Sequence, residues 1–341
     1  MQTIRVGVVG AGTNTVTMHI PNLQAIPGVA IVSVCNRSHD SSARVAERFG
    51  IPTIYDDWQE LVAAPDTDAI VIGTWPYLHC RATIAALTAG KHVLCEARMA
   101  MNLQEAIAMR DAARARSQLV AQVVPAPHTL GVDATIQRLI AEQYLGDVLA
   151  VNVRDGNRFL DRDSPIHWRQ DADLSGYNVL SLGIWYECLM RWVGEATHVM
   201  AMGRVFVKQR RDQYGRLRAV RVPEHLDVIA DLACGAQAHL QFSAVTGHAR
   251  PAEVTLFGST GTLRFTNGEL QGAQLNDSGL GAIAIPDHER GRWRVEAEFI
   301  GAIRGQEEIR LTSFETGVKY MAFTEAVVQS MAVGTAVPVP L

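Results

Sequence analysis

The residues near the start of the chain whose spacing indicates chemistry are two glycines, Gly10 and Gly12. They follow the β-branched run Ile4–Val9 and precede a segment of helical length. Gly10 permits a tight turn, and Gly12 lets backbone N–H groups approach a pyrophosphate at the positive end of a helix. A second apolar run follows and ends at Cys35. The order strand, glycine turn, helix and strand predicts the first βαβ unit of a dinucleotide-binding fold.

The glycine fingerprint is incomplete at one position. Thr15 stands where the third glycine is usual, so the alternative is an ordinary βαβ turn that binds no nucleotide. In the dinucleotide-binding interpretation, Thr13 and Asn14 follow the second glycine and are further candidate cofactor contacts.

The end of the second strand bears on the choice of cofactor. NAD enzymes usually place Asp or Glu there, which accepts from the ribose 2′-hydroxyl and repels a 2′-phosphate. Here a neutral Asn36 is followed by Arg37, whose guanidinium suits a phosphate, and by the hydroxyl donor Ser38. The sequence therefore predicts NADP as the cofactor, with NAD as the alternative.

Length and composition indicate an ordinary globular protein of two domains. The 341 residues exceed the roughly 250–300 at which single cores stop growing, and 48% of them are hydrophobic and 19% charged. A net charge of −4 argues against nucleic acid or an acidic membrane as the partner. Because no basic-then-apolar leader and no apolar run of roughly 18 residues occurs, we expect a soluble, cytoplasmic protein.

The cysteines fit the same expectation. Five of them are spread over the chain, and an odd number at wide spacing argues against a disulfide framework and suits a reducing compartment. The pairs His79–Cys80 and His92–Cys95 span the edges of predicted elements rather than a zinc knuckle. We therefore predict no metal site.

Residues 1–125 alternate between predicted strands and helices with short connections. After the first βαβ unit, strands are predicted at 53–55, 69–73, 92–95 and 119–124, and helices at 41–49, 57–63, 79–89 and 102–116. Asp57 and Asn102 are the predicted capping residues of the second and the fourth of these helices. This alternation predicts an α/β domain with a doubly wound parallel sheet of the Rossmann type.

Residues 126–341 follow another pattern. A helix at 133–143, a strand at 148–154 and a polar stretch at 155–177 precede period-two strands, and a last helix near 314–331 is expected to pack back on the body. The predicted strands are 205–207, 228–232, 239–242, 253–257 and 263–265. The result is an α+β domain with an open-faced, mostly antiparallel sheet. The strand at 228–232 places Val228, Ala230 and Leu232 on one face and Ile229 with Asp231 on the other. Some apolar side chains therefore face outward, and we expect a homo-oligomer, dimer or tetramer, that covers them.

Several motifs together resemble those of the Gfo/Idh/MocA family (glucose–fructose oxidoreductase, inositol dehydrogenase and MocA). They are the glycine turn with His19-Ile20-Pro21, Thr74-Trp75-Pro76 with His79, the segment from Ala89 to Glu96, Leu182-Gly183-Ile184, and the segment from Phe257 to Leu263. The resemblance implies a Rossmann domain, an open-faced sheet used for oligomer contacts, and nicotinamide-dependent oxidation or reduction of small sugars, cyclitols or related molecules. It makes four residues further candidate cofactor contacts: Thr74, Trp75, His79 and Glu96. For Trp75 and His79, a purely structural role is the alternative.

The chain departs from the family at its acid–base positions. Where family members commonly show Glu-Lys-Pro, this chain has Glu96-Ala97-Arg98, and where they show Asp and His on a later helix, it has Ser181 and Trp185. These exchanges remove the usual proton-transfer groups, because none of the replacements exchanges a proton near neutrality. We therefore expect a relocated proton donor.

The candidates for this relay are Tyr177 first and His128 second, with Arg98 stabilising negative charge. Tyr177 follows a glycine in a loop, and His128 follows the sixth strand, at the sheet edge where ligands bind. The alternatives are a tyrosine packed under its loop and a histidine bonded within a proline-stiffened loop. The candidate substrate contacts are polar or aromatic residues of the second domain: His167, Trp168, Arg169, Asn178, Ser181 and Trp185.

The sequence thus predicts an NAD(P)-dependent oxidoreductase for a small sugar, polyol or carbonyl compound, with a nonstandard proton relay. Two alternatives stay open, namely a lyase or glycosidase that oxidises its substrate transiently with bound nicotinamide, and a non-catalytic dinucleotide-binding protein. Net turnover of the cofactor distinguishes the first from the second, and binding without turnover indicates the third.

Overall fold

A computed structural model describes residues 3–340 and divides them into two compact units. The first unit comprises the chain up to Pro125 and Arg294–Val318, and the second comprises Ala126–Trp293 and the chain from Lys319. The units differ from the predicted domains, 1–125 and 126–341, in the segment 294–318. This segment belongs to the first unit because Ser313 forms a β-bridge with Gln122 of the last parallel strand.

Strands and helices cover most of both units. The strands are β1 (Ile4–Val9), β2 (Val29–Cys35), β3 (Thr53–Ile54), β4 (Ala69–Ile72), β5 (His92–Cys95), β6 (Ala121–Val123), β7 (Val148–Asp155), β8 (Ala196–Arg204), β9 (Gln209–Arg211), β10 (Leu217–Ala219), β11 (His225–Leu232), β12 (Gln237–Ser243), β13 (Glu253–Gly258), β14 (Gly261–Thr266), β15 (Glu269–Gln274), β16 (Gly281–Ala282) and β17 (Val337–Pro338). The α-helices are α1 (Ile20–Gln24), α2 (His39–Phe49), α3 (Trp58–Ala63), α4 (Pro76–Thr88), α5 (Leu103–Arg114), α6 (Asp133–Ala141), α7 (Ala172–Ser175), α8 (Leu182–Val193), α9 (Val295–Ile303) and α10 (Phe314–Val333). A π-helical turn, Thr15–His19, precedes α1. Between residues 3 and 340, no helix is both long enough and apolar enough to span a bilayer.

The first unit is a doubly wound parallel sheet. Its strands lie in the order β3-β2-β1-β4-β5-β6, and every neighbouring pair is parallel. All four residues of β4 are buried, as expected of a strand covered on both faces. The predicted Rossmann sheet is confirmed. Its order reverses between β1 and β4, and this is the point where such sheets bind ligands.

The helix starts of this unit follow from local chemistry. Asp57 accepts a hydrogen bond from Gln59 N at the start of α3, and Asn102 accepts one from Glu105 N at the start of α5, as the sequence predicts. Helix α4 begins at Pro76, earlier than the predicted start at residue 79, because a proline in the first turn has no N–H that needs a partner.

Thr15 occupies the third glycine position of the turn, and the space it needs is provided by Gly73. Thr15 is buried, and a Cβ at Gly73 would lie 2.1 Å from Thr15 Oγ1 and 2.2 Å from the carbonyl oxygen of Gly10. The glycine that permits close packing of helix on sheet is thus placed at the end of β4 instead of in the turn. Gly10 has φ +84°, which a residue with a Cβ rarely adopts.

The second unit is built on a nine-stranded sheet with the order β16-β15-β14-β13-β7-β12-β11-β8-β17. Every neighbouring pair is antiparallel except β7 and β12, which confirms the mostly antiparallel α+β prediction. Along β11, Val228 and Ala230 are buried whereas Ile229 is exposed. The predicted last helix is α10, and within this unit its Phe323 ring stacks on Tyr186 at 3.6 Å.

One predicted strand, 205–207, is wrong. Strand β8 ends at Arg204, and the N–H groups of Phe206 and Val207 donate to the carboxylate of Glu224 at 2.9 and 3.0 Å. Because a buried carboxylate takes these donors, the segment forms no ladder. The apolar residues of 205–207 resemble a strand, and the partner that prevents one lies far along the chain.

Strand β15 and helix α9 are two of the elements of the structure that have no counterpart among the predicted ones. Strand β15 pairs with β14 through a hairpin whose turn residues, Asn267 and Gly268, both have positive φ. Asn-Gly is a strong hairpin signal, so the sequence contained the information for this strand. Helix α9 is the other element, and its Glu296 and Glu298 are both buried.

We predict that Gly73→Ala lowers the free energy of unfolding by at least about 2 kcal/mol, because the new methyl group overlaps Thr15 Oγ1 and a backbone oxygen. Urea unfolding measures the change. Gly279→Ala is the matched control, since its Cβ meets nothing within 4 Å, and it is expected to change stability by less than about 0.5 kcal/mol. Equal stability of the two variants would contradict this packing argument.

Candidate active site

A cleft of about 480 Å³ lies in the first unit, at the carboxyl ends of β1, β2 and β4. Gly10 and Gly12 form one wall and Asn36 and Arg37 another. The predicted cofactor residues that line the cleft are Gly10, Gly12, Asn36, Arg37, Thr74 and Trp75. Its position at the point where the strand order reverses is the one expected of a dinucleotide site.

Asn36 is bound to the glycine turn itself. Its Oδ1 accepts from Ala11 N at 2.6 Å, and its Nδ2 donates to the carbonyl oxygen of Ser41 at 3.1 Å. The carboxamide therefore fixes the turn against the start of α2. Arg37 is exposed beside it, with its guanidinium carbon 5.4 Å from the centre of the Trp75 ring. This leaves a positioned cation, and no carboxylate at residue 36, on this side of the cleft.

Other predicted cofactor residues lie around the turn. Thr13 and Asn14 begin the helical segment, where the first N–H groups have no partner within the helix. Ser38 is the N-cap residue of α2. His79 is fully buried, and its ring nitrogens lie 2.9 and 3.0 Å from the carbonyl oxygens of Thr74 and Arg98. Burial lowers the pKa of His79, so a neutral ring donates to one of these oxygens and holds the ends of β4 and β5 together.

Glu96 belongs to a buried charge cluster centred on His19. The His19 ring lies between two carboxylates, with Nδ1 2.6 Å from Glu296 Oε1 and Nε2 2.9 Å from Glu96 Oε1. Asn14 donates to the same oxygen of Glu96, and Asn22 donates to Glu296 Oε2 at 3.1 Å. The cluster joins the glycine turn, the end of β5 and α9 within the first unit.

The ring of His19 is an imidazolium in this setting. Burial by itself lowers the pKa of His19, but the hydrogen bonds to Glu296 and Glu96 outweigh it and raise the pKa to about 9. For Glu96, burial acts to raise the pKa, and the hydrogen bond from His19 reverses this and lowers it. The imidazolium and the Glu296 carboxylate are therefore buried, and the Glu96 carboxylate, 15% exposed, lies at the edge of the cluster.

In the second unit, three of the predicted residues gather around a carboxylate that the sequence analysis missed. Asp155, at the end of β7, accepts from Ser181 Oγ at 2.6 Å and from Trp185 Nε1 at 2.9 Å. The His128 ring stacks on Trp185, with centroids 5.0 Å apart and planes inclined by 27°. The signal available in the sequence was a carboxylate directly after the predicted strand 148–154.

The remaining predicted residues of the second unit lie in the segment 167–178, before α8. Tyr177 is 45% exposed in the loop after Gly176, and Asn178 is buried and donates to the carbonyl oxygen of Ser175. His167 Nδ1 accepts from Arg169 N at 3.3 Å, and the guanidinium of Arg169 lies 4.1 Å from the Trp168 ring centre. Their roles toward a substrate stay predictions.

Arg98, in the first unit, is 4% exposed. The peptide bond between Ala97 and Arg98 is cis. The predicted role of this guanidinium in stabilising negative charge stays a prediction. Within residues 3–340, no group of three or more His, Cys, Asp or Glu side chains is arranged to hold a metal ion.

The sheet order and the cleft at its switch point define a dinucleotide-binding protein of the Rossmann class. Residues 4–123 match the family model of oxidoreductases with an NAD-binding Rossmann fold, and residues 134–264 match the model of the GFO/IDH/MocA C-terminal domain. The chain belongs to the Gfo/Idh/MocA oxidoreductase family, as its motifs predict.

Two relatives illustrate the range of similarity. Levoglucosan dehydrogenase of Pseudarthrobacter phenanthrenivorans is 27% identical over 219 residues, which make up 61% of this chain and 52% of that protein. The 1,5-anhydro-D-fructose reductase of Ensifer adhaerens is 40% identical over 110 residues, 32% of this chain and 33% of that protein. The chain thus spans about half the length, or less, of these curated relatives.

Solved structures share the fold over the full chain. Levoglucosan dehydrogenase in complex with NADH and L-sorbose superposes with a TM-score of 0.87 at 22% identity, covering 99% of both chains. The complex of that enzyme with NADH and levoglucosan gives 0.87 at 23% identity, covering 100% of both chains. At these identities the likeness establishes the architecture alone.

We predict that stability falls with rising pH through the titration of His19. The pKa of about 9 in the folded protein exceeds the ordinary value of 6.5, so this contribution is complete below pH 6.5 and is lost as the pH rises through 9. The loss is on the order of 3 kcal/mol. It is measured by urea unfolding at a series of pH values.

His19→Asn removes the cation between the two carboxylates, so we expect it to be destabilised by about 3–5 kcal/mol at pH 6.5 and to lack this pH dependence. His288→Asn is the control, because His288 is 81% exposed and faces solvent. A parallel pH dependence in the unaltered protein and in His19→Asn would refute the buried imidazolium.

Proposed function

We propose that this protein is an NAD(P)-dependent oxidoreductase that transfers a hydride between nicotinamide and a small sugar, polyol or carbonyl compound. The cleft of the first unit carries the proposal, because its glycine turn and its exposed Arg37 suit a bound dinucleotide. The names of the relatives levoglucosan dehydrogenase and 1,5-anhydro-D-fructose reductase support a sugar derivative as the substrate class.

The residues of the first unit fit such a cofactor. When bound, a nicotinamide dinucleotide supplies the hydride acceptor or donor. Gly12 has no side chain to keep a pyrophosphate from the helical segment that starts at Thr13, and Asn36 holds the turn in place through Ala11 N. The His19 cluster holds Asn14, at the start of this helical segment, through the hydrogen bond from Asn14 to Glu96. The protein's contribution here is binding and orientation of the reactants, which is a large part of hydride-transfer catalysis.

NADP is the dinucleotide that we propose for this site. Arg37 is exposed and held near the Trp75 ring, and a guanidinium binds a 2′-phosphate through charge-assisted hydrogen bonds. The residue that usually repels such a phosphate is the neutral Asn36. Asp56 and Asp57 also line the cleft; Asp56 lies 2.9 Å from His39 Nδ1, and Asp57 accepts from Gln59 N at 2.8 Å. The preference for a 2′-phosphate therefore rests on Arg37 and on the neutral residue at position 36.

We predict tighter binding of NADPH than of NADH, and Arg37→Ala narrows this difference by about 1–2 kcal/mol, roughly tenfold in Kd. Arg44→Ala is the matched control, because Arg44 is an exposed residue of α2 and its replacement removes the same charge. Fluorescence titration at moderate salt gives two dissociation constants for each protein, one for NADPH and one for NADH. Equal affinities of the unaltered protein for the two dinucleotides would reject NADP as the preferred cofactor.

The proposed activity is tested by incubating the protein with dinucleotide and a panel of anhydrosugars, polyols and the corresponding carbonyl compounds. Net formation or consumption of NAD(P)H supports the oxidoreductase. Conversion of a sugar with no net change in the dinucleotide indicates the transiently oxidising lyase or glycosidase, and binding without conversion indicates a non-catalytic protein. Gly12→Ala is the negative control, because its Cβ meets the fold only at 3.4 Å but stands in the path of the pyrophosphate.

We also propose a homo-oligomer that covers the open face of the nine-stranded sheet. Met200, Met202 and Ile229 are 49%, 70% and 48% exposed, and the register of β8 with β11 places Ile229 opposite Met200. An apolar patch of this kind on a regular sheet suits a second copy of the same chain.

Light scattering at micromolar concentration is expected to give the mass of a dimer or tetramer. Ile229→Glu is expected to reduce the mass, because it replaces an apolar side chain of the patch with a carboxylate. The new charge lies between Asp227 and Asp231 of the same strand and would repel the same face of a second copy. Tyr214→Glu, on an exposed residue outside this sheet, is the control and is expected to keep the oligomer. A monomeric mass for the unaltered protein would disprove the proposal.

A reducing compartment such as the cytoplasm is the location we propose. The cysteines of the chain are free thiols, and Cys35, Cys80, Cys95 and Cys188 are buried. Burial raises the pKa of Cys35 to about 11 and that of Cys188 to about 12, which keeps both thiols protonated and unreactive.

A further inference from the structure

Two side-chain donors of α8 converge on one carboxylate oxygen. Ser181 Oγ and Trp185 Nε1 both donate to Asp155 Oδ2, at 2.6 and 2.9 Å. Ser181 is the N-cap residue of α8, Trp185 follows four positions later in the helix, and Asp155 is the last residue of strand β7. The carboxylate is held at a fixed rotation, because both donors bind the same oxygen.

The second oxygen of this carboxylate is open. Among residues 3–340, Asp155 Oδ1 accepts no hydrogen bond, and Asp155 is only half-buried. The indole of Trp185 is 3% exposed and cannot turn away, because His128 stacks on it. One oxygen is thus occupied by rigid donors, and the other is presented for a ligand.

The geometry points to Asp155 as the proton-transferring carboxylate of the reaction, with Ser181 and Trp185 as the residues that position it. This inference rests on the proposed function. Neither of the two helix positions, 181 and 185, can exchange a proton near neutrality, yet both direct a donor at the carboxylate on β7. The acid–base group is therefore on the strand, and the helix has become its support.

In the oxidation of a secondary alcohol, the hydroxyl O–H bond breaks, and the proton forms a new O–H bond to Asp155 Oδ1. The electron pair of the broken bond becomes the second bond of the C=O group as the carbinol hydrogen leaves as hydride to the oxidised nicotinamide dinucleotide, which is thereby reduced. Asp155 then returns its proton to water. Reduction of a ketone follows the reverse course, with protonated Asp155 as the donor.

The decisive experiment is chemical rescue. Asp155→Ala removes the carboxylate and is expected to lower kcat by about 10²–10⁴-fold while leaving the Kd of NADPH within twofold. Added formate supplies a free carboxylate in the vacated space and is expected to raise the kcat of Asp155→Ala at least tenfold. It is expected to have no effect on the unaltered protein. A merely structural carboxylate would not be replaced in this way.

Two further variants test the positioning role of Trp185 and control for the removal of a carboxylate. Trp185→Phe keeps the aromatic ring under His128 but removes one donor to Asp155 Oδ2, so we expect a smaller loss in kcat, about tenfold, with KM nearly unchanged. Asp287→Asn is the matched control, because Asp287 is an exposed carboxylate of the same unit, and it is expected to leave the rate unchanged.

Three results would overturn the assignment. The first is an Asp155→Ala variant that keeps kcat within twofold, and the second is a loss in kcat that formate does not relieve. The third is an equal affinity of the unaltered protein and of Asp155→Ala for levoglucosan in the presence of NADPH, measured by calorimetric titration, which would reject Asp155 as a ligand for the substrate hydroxyl. This titration decides the role of Asp155 where the unaltered protein converts no compound of the panel, a result by which the oxidoreductase proposal fails by itself.

Discussion

The buried contact of His19 with Glu96 and Glu296 is the interaction on which the dinucleotide half of the molecule depends. Without the imidazolium, the buried carboxylate of Glu296 and the partly buried one of Glu96 would each lose a charged donor. Because Asn14 is bound to Glu96, the same cluster sets the start of the helical segment that follows the glycine turn. A charge interaction thereby fixes the backbone that the phosphates require, and it incorporates α9 into the same unit.

Two departures of the chain from familiar motifs are each accompanied by a complementary residue on another element. Thr15 occupies a glycine position of the turn, and Gly73 at the end of β4 provides the missing room. Ser181 and Trp185 occupy the acid–base positions of a helix, and Asp155 on β7 provides a carboxylate that both of them bind. In each pair the compensating residue lies on a different element. A change at a motif residue is therefore best judged by what now surrounds it.

The sequence predicted most of what depends on local chemistry. The caps Asp57 and Asn102, the buried run of β4 and the glycine turn with Asn36 and Arg37 are each determined by residues close together in the chain. Partners distant in sequence were not predictable in this way. Glu224 prevents a strand at Phe206 and Val207, and Asp155 receives donors from a helix 26 and 30 residues further on. Such pairings depend on the packing of elements, which no periodicity in a single sequence encodes.

We propose that this chain transfers a hydride between the carbon of a sugar derivative and a nicotinamide. The most direct test uses a sugar with deuterium at the carbon to be oxidised, with mass spectrometry of the dinucleotide and of the sugar product after a single turnover. The account predicts one deuterium in the reduced dinucleotide and none at that carbon of the product. A converted sugar that keeps its deuterium, with an unlabelled dinucleotide, would contradict it.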